Sequence, residues 1–320
     1  MPEHSLIEML KWMRPEGSST QKYFCKIYLE PTFGLPDKHG NYIHIVNEAD
    51  GSYPVVCFTA HHDTVHREQG KQNVVISGDI ASAVDSSCLG ADCTTGCWLI
   101  LGMIDAKIPG VYVIHAGEEV GCKGSAALVK DHPVWLDKIK AVISFDRKGT
   151  ESVITHQMGR RTASDAFAVS FAEALGMNSL RPDTTGAYTD SNEYQHIVSE
   201  CTNISVGYYG QHTPKETQDV YFAYELLDAL CNADWSKLVF ERDPDTASLS
   251  AWDDYNFYRQ DYGSSIHKGA SNAYKLEDII RDYPVEVASL LDDWGVDANY
   301  LIEQLESLEY NAMFNRTMAV

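Results

Sequence analysis

Long apolar runs, a basic leader and an excess of positive charge are all missing from this chain. No stretch of about eighteen consecutive apolar residues occurs, so no helix is expected to span a bilayer. The start, Met1-Pro-Glu-His-Ser5, has neither a basic region nor an apolar stretch. It does not read as a secretory signal, and a cytoplasmic location is expected. Without an export signal, the 8 cysteines are expected to be reduced thiols rather than a disulfide framework. Basic residues number 25 against 46 acidic, for a formal net charge of -21. A field of that sign repels nucleic-acid phosphates and anionic lipid surfaces, so neither nucleic acid nor membrane is expected as a partner. It suits a chain that gathers carboxylates to hold divalent metals, although any single acid is first of all a solvated surface group. Internal repeats and low-complexity segments are also absent. What remains is 320 residues, 44% of them apolar, enough for one large domain or two smaller ones.

Four short apolar runs read as buried parallel strands: Val55–Thr59, Val111–Ile114, Ala141–Phe145 and Asn203–Tyr208. Each is rich in β-branched or aromatic residues and too short for a helix. Helix-like stretches lie between them, at Thr94–Ala106, Ser125–Lys130 and Ser164–Leu175. The alternation predicts an α/β fold, a mostly parallel (mixed) central sheet with helices on both faces. In such sheets ligands bind at the carboxyl ends of the strands. Near residue 240 the character changes. Arg242-Asp243-Pro244-Asp245 reads as a turn, and from Asp243 onward there are 15 acidic and 5 basic residues. Leu276, Ile279, Ile280 and Tyr283 share helical spacing, as do Val287, Leu290 and Leu291, and then Leu301, Ile302, Leu305 and Leu308. The expected organisation is a catalytic domain over residues 1–242 and a small acidic helical appendix over residues 243–320.

The residues that carry chemistry cluster just after the apolar runs. In Thr59-Ala60-His61-His62-Asp63, residues i and i+2 of an extended chain share a face, so His61 lies beside Asp63 and His62 points away. A carboxylate beside a ligating imidazole fixes its tautomer, which makes His61 the better ligand and Asp63 its partner. Asp92, in Leu89-Gly90-Ala91-Asp92, precedes a helix; such a residue is commonly a helix cap, but its two oxygens also suit two cations. Glu118 and Glu119 are adjacent carboxylates at a strand end, costly there unless a cation or proton compensates them. Neighbours point to different sides, so one is free to bind metal and the other to act as a general base. Asp146 ends the third run and His212 follows the fourth. Oxygen and imidazole donors suit zinc, manganese or cobalt, and the excess of carboxylates suggests two ions about 3.5–4 Å apart. Cys88, Cys93, Cys97 and Cys122 are read as small buried hydrophobes, and His62, His66 and His115 as structural.

As a set, His61-x-Asp63, Leu89-Gly90-Ala91-Asp92, Glu118-Glu119-Val120-Gly121, Ser144-Phe145-Asp146 and His212 resemble the co-catalytic zinc exopeptidases. These include peptidase T, the cytosolic dipeptidases and the zinc aminopeptidases. The similarity runs in order over roughly residues 20 to 240, and Ile76-Ser77-Gly78-Asp79 with Asp85–Asp92 looks like the peptidase T pattern in particular. The resemblance implies that Asp92 bridges two metals, with His61 and Asp146 completing one site and Glu119 and His212 the other. It implies that Glu118 is the general base, and that Tyr188-Thr189-Asp190-Ser191 is a turn near the substrate. Cys93 departs from the family, where a polar residue is more usual. Only 43 residues separate Asp146 from Asp190 and only 28 separate Asp63 from Asp92, so neither gap holds the inserted domain of many relatives. A lidless domain is expected, with the oxyanion-stabilising group unassigned among Tyr188, Tyr208, Tyr209 and Arg147. The expected activity is hydrolysis of peptide or amide bonds in a small peptide, as an aminopeptidase or dipeptidase. The alternatives are an N-acyl amino acid deacylase with the same site, or a binding protein that has kept the fold and lost turnover. The sequence sets no oligomeric state.

Overall fold

Because the four apolar runs alternate side chains between two faces and are apolar on both, they belong in the middle of a covered sheet, and that is where they lie. The computed structural model describes residues 4–244 together with 280, 287, 288 and 291. The strands used below are β1 (Tyr42–Val46), β2 (Val56–His61), β3 (Asn73–Ser77), β4 (Ile80–Val84), β5 (Gly110–His115), β6 (Ala141–Arg147), β7 (Ser152–Ile154), β8 (Arg181–Asp183), β9 (Glu200–Ser205), β10 (Tyr208–Tyr209) and β11 (Thr217–Asp219). The helices are α1 (Ala91–Asp105), α2 (Lys123–Asp131), α3 (Asp165–Leu175), α4 (Asp190–Glu193) and α5 (Val220–Asn232). The main sheet has seven strands in the order β8-β7-β9-β6-β2-β5-β1. Its centre, β9-β6-β2-β5, is parallel. β1 runs antiparallel at one edge, and β7 meets β9 antiparallel, so the sheet is mixed, as expected.

The alternation divides the core in two. Phe58, Ala60, Tyr112, Ile114, Ile143 and Phe145 face one layer, where buried residues of α1, α3 and α5 cover them. Cys57, Val111, Val113 and Val142 face the other, against Leu128 of α2 and Tyr194 and Val198 after α4. Helices therefore pack on both faces. α1 lies close on the sheet: a Cβ on Gly96 would stand 2.3 Å from the Phe145 carbonyl oxygen, a contact only glycine permits.

Two details differ from the sequence reading. The fourth strand runs Glu200–Ser205 rather than Asn203–Tyr208. Tyr208 instead pairs with Gln218 in a second, antiparallel sheet of order β10-β11-β4-β3. That sheet was not expected, because its hairpin β3–β4 leaves Val75, Ile76, Ile80 and Val84 exposed and lacks a clean in-out pattern. The chain divides into two units, Met1–Gly263 and Ser264–Val320. The helices expected from Leu276 to Leu308 lie outside the described residues, apart from isolated positions.

Candidate metal centre

The parallel strands β2, β5 and β6 end side by side, with His61 opposite His115 and Thr59 opposite Ser144 in register. His61 is the last residue of β2. Asp146 is the penultimate residue of β6, which continues one residue past it, and Glu118 and Glu119 lie in the turn after β5. Asp92 stands at the mouth of α1, where Asp92 and Cys93 leave helical geometry and are joined by a cis peptide bond. His212 comes from the loop between β10 and β11.

These elements bring all the expected residues to one place. Asp92 faces both imidazoles, with Oδ1 3.1 Å from His61 Nε2 and Oδ2 3.2 Å from His212 Nε2. His61 Nε2 is also 3.6 Å from Asp146 Oδ1 and 4.0 Å from Glu118 Oε2. Glu119 turns the other way, its Oε2 lying 3.3 Å from His212 Nε2. The two adjacent glutamates thus approach different histidines most closely, while both stay within metal-binding reach of His61. Asp92, Glu119 and His212 form one group of donors within metal-binding reach of each other, His61 with Cys93 and Asp146 another, and His61 with Glu118 and Glu119 a third.

A second set of side chains holds the first. His61 Nδ1 meets the Asp63 backbone carbonyl at 3.1 Å and its carboxylate at 3.4 Å, and the two carboxylate oxygens accept the backbone N–H groups of Glu118 and Glu119 at 3.2 and 3.1 Å. Asp63 therefore orients His61 and pins the glutamate turn together. Asn203 accepts from the Asp146 amide at 3.0 Å and donates to its carbonyl at 2.8 Å, while the Thr189 hydroxyl donates to Asp146 Oδ2 at 2.6 Å. Asp190, the next residue, accepts from Ser125 at 2.5 Å.

Neighbouring histidines are fully employed elsewhere. His62 contacts Gln21 through Nδ1 and Gly40 O through Nε2. His66 is held by Thr64, Gln72 and the Cys88 carbonyl. His115 is held by Asn41 and Tyr194. Cys88, Cys93, Cys97 and Cys122 are buried free thiols. Cys93 and Cys97 donate to the Phe145 and His61 carbonyls, and burial pushes both thiols up. Of the proposed oxyanion groups, Tyr208 donates to the Asp146 carbonyl at 3.2 Å, Tyr188 to Glu193, and Arg147 to Thr185.

Two supporting residues had no signal in the sequence. Arg14, fully buried, donates to the carbonyls of His62 and Trp12 and to the Thr94 hydroxyl, and lies over the Phe24 ring. Glu216, also buried, accepts four backbone N–H groups from Leu89, Gly90, Ala91 and Asp92. Both reach segments far away in the chain, where no local pattern marks them.

The electrostatics ask for cations. Burial pushes Glu118 well above the usual carboxylate range, and burial with the Asp92 charge moves Asp146 up to about 8. Burial disfavours the His212 imidazolium, but Asp92 and Glu119 outweigh it and push its pKa up to about 12. Asp92 is pulled well down by the two imidazoles against its own burial. Protons on the histidines thus stand in for missing positive charge. Among the described residues, two buried atoms of the centre make no hydrogen bond of good geometry: Glu119 Oε1, and His212 Nε2, whose contacts with Asp92 and Glu119 are ion-pair approaches at 3.2 and 3.3 Å. Orphaned donor atoms facing an excess of carboxylates fit divalent metal.

The sequence matches the profile of peptidase family M28 over residues 41–219, a span that contains every residue of this centre. The chain belongs to peptidase family M28. The resemblance to the co-catalytic zinc exopeptidases holds, and this peptidase is metal-dependent. No curated protein matches the peptidase in sequence. Its fold is similar to that of the aminopeptidase PepT from Bacillus cereus, with a TM-score of 0.57 at 14% identity over 71% of this chain and 96% of that one. A tripeptidase from Staphylococcus aureus gives a TM-score of 0.58 at 14% identity over 71% and 95%. An aminopeptidase from the archaeon Desulfurococcus kamchatkensis gives 0.55 at 14% identity over 76% and 97%. Among the described residues, no helix is long and apolar enough to cross a membrane.

Proposed function

We propose that this M28 peptidase is an aminopeptidase that works with two divalent ions, zinc by preference, held by His61, Asp92, Glu119, Asp146 and His212. The observation that carries the reading is the placement of Asp92, whose two oxygens separately face the two imidazoles. Asp92 would serve both ions, with His61 and Asp146 completing one position and Glu119 and His212 the other. Bound divalent ions supply Lewis-acid polarisation of a carbonyl and acidification of a water molecule. Glu118 accepts a proton from the attacking water and returns it to the leaving amine. Asp63 keeps His61 in one tautomer and holds the Glu118–Glu119 turn in place. Residues 1–242 carry the reaction in a lidless domain, with residues 243–320 as an acidic appendix and a small peptide as substrate. Removal of amino-terminal residues is favoured by the surplus of carboxylates near the centre, Asp190 beside Glu118 among them, which suits a substrate ammonium.

The test is metal content measured beside hydrolysis of a matched set: peptides with free amino ends, the same peptides acetylated, and N-acyl amino acids. Turnover of the free peptides alone, with two ions per chain, is expected. Cleavage of the N-acyl amino acids instead would make the protein a deacylase, and metal without any turnover would make it a binding protein.

A further inference from the structure

Helix α1 opens without a cap of its own. Its N-cap position is Gly90, at φ 70, and no side chain from the neighbouring sequence accepts from the first turn. Glycine is required there, since a Cβ on Gly90 would stand 2.6 Å from the His66 ring. The first N–H groups of a helix need acceptors, and a single distant carboxylate serves them. Glu216 Oε2 accepts from Leu89 and Gly90 at 2.8 and 2.9 Å, and Oε1 from Ala91 and Asp92 at 2.9 and 3.2 Å. Glu216 is 1% exposed, and it lies four residues after His212 on the same loop. The next strand is tied to α1 as well, because the Thr95 hydroxyl donates to Gln218 at 2.6 Å.

The geometry points to Glu216 as a positioning residue that locks the loop of His212 to the loop of Asp92, and so sets the metal position these two share with Glu119. The inference rests on the metal assignment proposed above. Asp92 and His212 come from segments more than a hundred residues apart, and neither loop is held by the regular hydrogen bonds of a sheet where the donor atoms stand. A carboxylate clasping four successive amides fixes the peptide planes that aim Asp92. In Glu216→Gln one of the two acceptor oxygens becomes an NH2 group facing two N–H donors, so half the clasp turns repulsive while volume is kept.

The test is zinc titration of the full chain by chelator competition, with stoichiometry by elemental analysis and the unfolding midpoint of the metal-free protein. Wild type is expected to bind two ions. Glu216→Gln is expected to keep one near wild-type affinity and to bind the other roughly 10–100-fold more weakly, the scale for losing a residue that orients ligands. Turnover should fall at limiting zinc and return at high zinc. Leu226→Ala, a core change in α5, serves as a control of comparable destabilisation and should leave both affinities unchanged. Two tight ions in Glu216→Gln, or equal loss of metal in Leu226→Ala, would overturn the proposal. Should Glu216→Gln fail to fold, Glu216→Asp is read by the same criteria, and failure of both makes Glu216 a determinant of the fold and sinks the idea. A wild type that binds no zinc overturns the metal assignment itself, whereas a two-ion wild type with an unaffected Glu216→Gln overturns only the role of Glu216.

Discussion

At the scale of single residues, the centre turns on two glutamates that are adjacent in the chain and each approach a different histidine most closely. Glu118 lies on the His61 side, 4.0 Å from its Nε2, and Glu119 on the His212 side at 3.3 Å. Asp63 holds the backbone of both, so the turn that carries them is fixed by the protein itself. The proposed roles follow from this separation. Glu118→Gln is expected to retain both ions and the fold while turnover drops roughly 10²–10⁴-fold, the usual scale for a general base. Glu119→Gln is expected to lose an ion, because Glu119 faces His212 and Asp92 in one group of donors and its Oε1 makes no hydrogen bond among the described residues. Metal stoichiometry measured beside turnover decides the matter. Loss of an ion in Glu118→Gln with full loading in Glu119→Gln would exchange the two roles.

At the scale of elements, the site depends on how closely α1 can lie on the sheet. Gly96 lets the helix touch the Phe145 carbonyl, one residue before Asp146. A Cβ added to Gly96 would also stand 3.1 Å from the Cβ of Ala60, one residue before His61. One added methyl at this point must push α1 away from both strands. Gly96→Ala is expected to cost about 1–3 kcal/mol in urea unfolding, the range for overpacking a filled core. It is also expected to weaken metal binding, since Asp92 rides on the same helix. A variant with wild-type stability and wild-type zinc affinity would show that the contact has slack.

Across the whole molecule, the charge state of the centre links metal, pH and stability. Asp92 and Glu119 push His212 up to about 12, and burial with the Asp92 charge moves Asp146 up to about 8, both above their ordinary values. Groups with raised pKa contribute most to stability while protonated, and that contribution is lost as pH climbs from the ordinary value through the raised one. Metal takes the place of those protons, so its affinity rises with pH. The gap between metal-loaded and chelator-treated unfolding temperatures is therefore expected to widen from about pH 5.5 to about pH 8; at a metal concentration of about 100 Kd the stabilisation is about 2.7 kcal/mol. A gap that narrows over that range would contradict the proton-for-metal exchange. The acidic appendix should stand apart from this linkage. Every residue of the centre lies within the family match at residues 41–219, and the described chain is anchored at its far end by Arg242, which donates to the Ser199, Gln195 and Val198 carbonyls. A chain ending at residue 262 is expected to keep its zinc affinity and kcat/KM, and a folded but inactive truncation would bring the appendix into the site.

The sequence by itself determined three of the four central strands, caught the fourth only in part, and marked the candidate site residues at their ends. Continuous apolar runs have one stable place, the middle of a covered sheet, and parallel strands present their following residues along one edge. His61, Asp63, Glu118, Glu119 and Asp146 were legible for that reason, and Asp92 and His212 joined them through the order of the motifs. The tertiary structure alone decided what holds these residues in place. Glu216 and Arg14 act through hydrogen bonds to segments distant in the chain, and such bonds leave no periodicity, spacing or local propensity to read. The second sheet was equally silent, because its exposed hairpin lacks the in-out alternation that marks a half-buried strand. The facing of Asp92 toward both histidines likewise exists only once the loops from opposite ends of the domain have closed on each other.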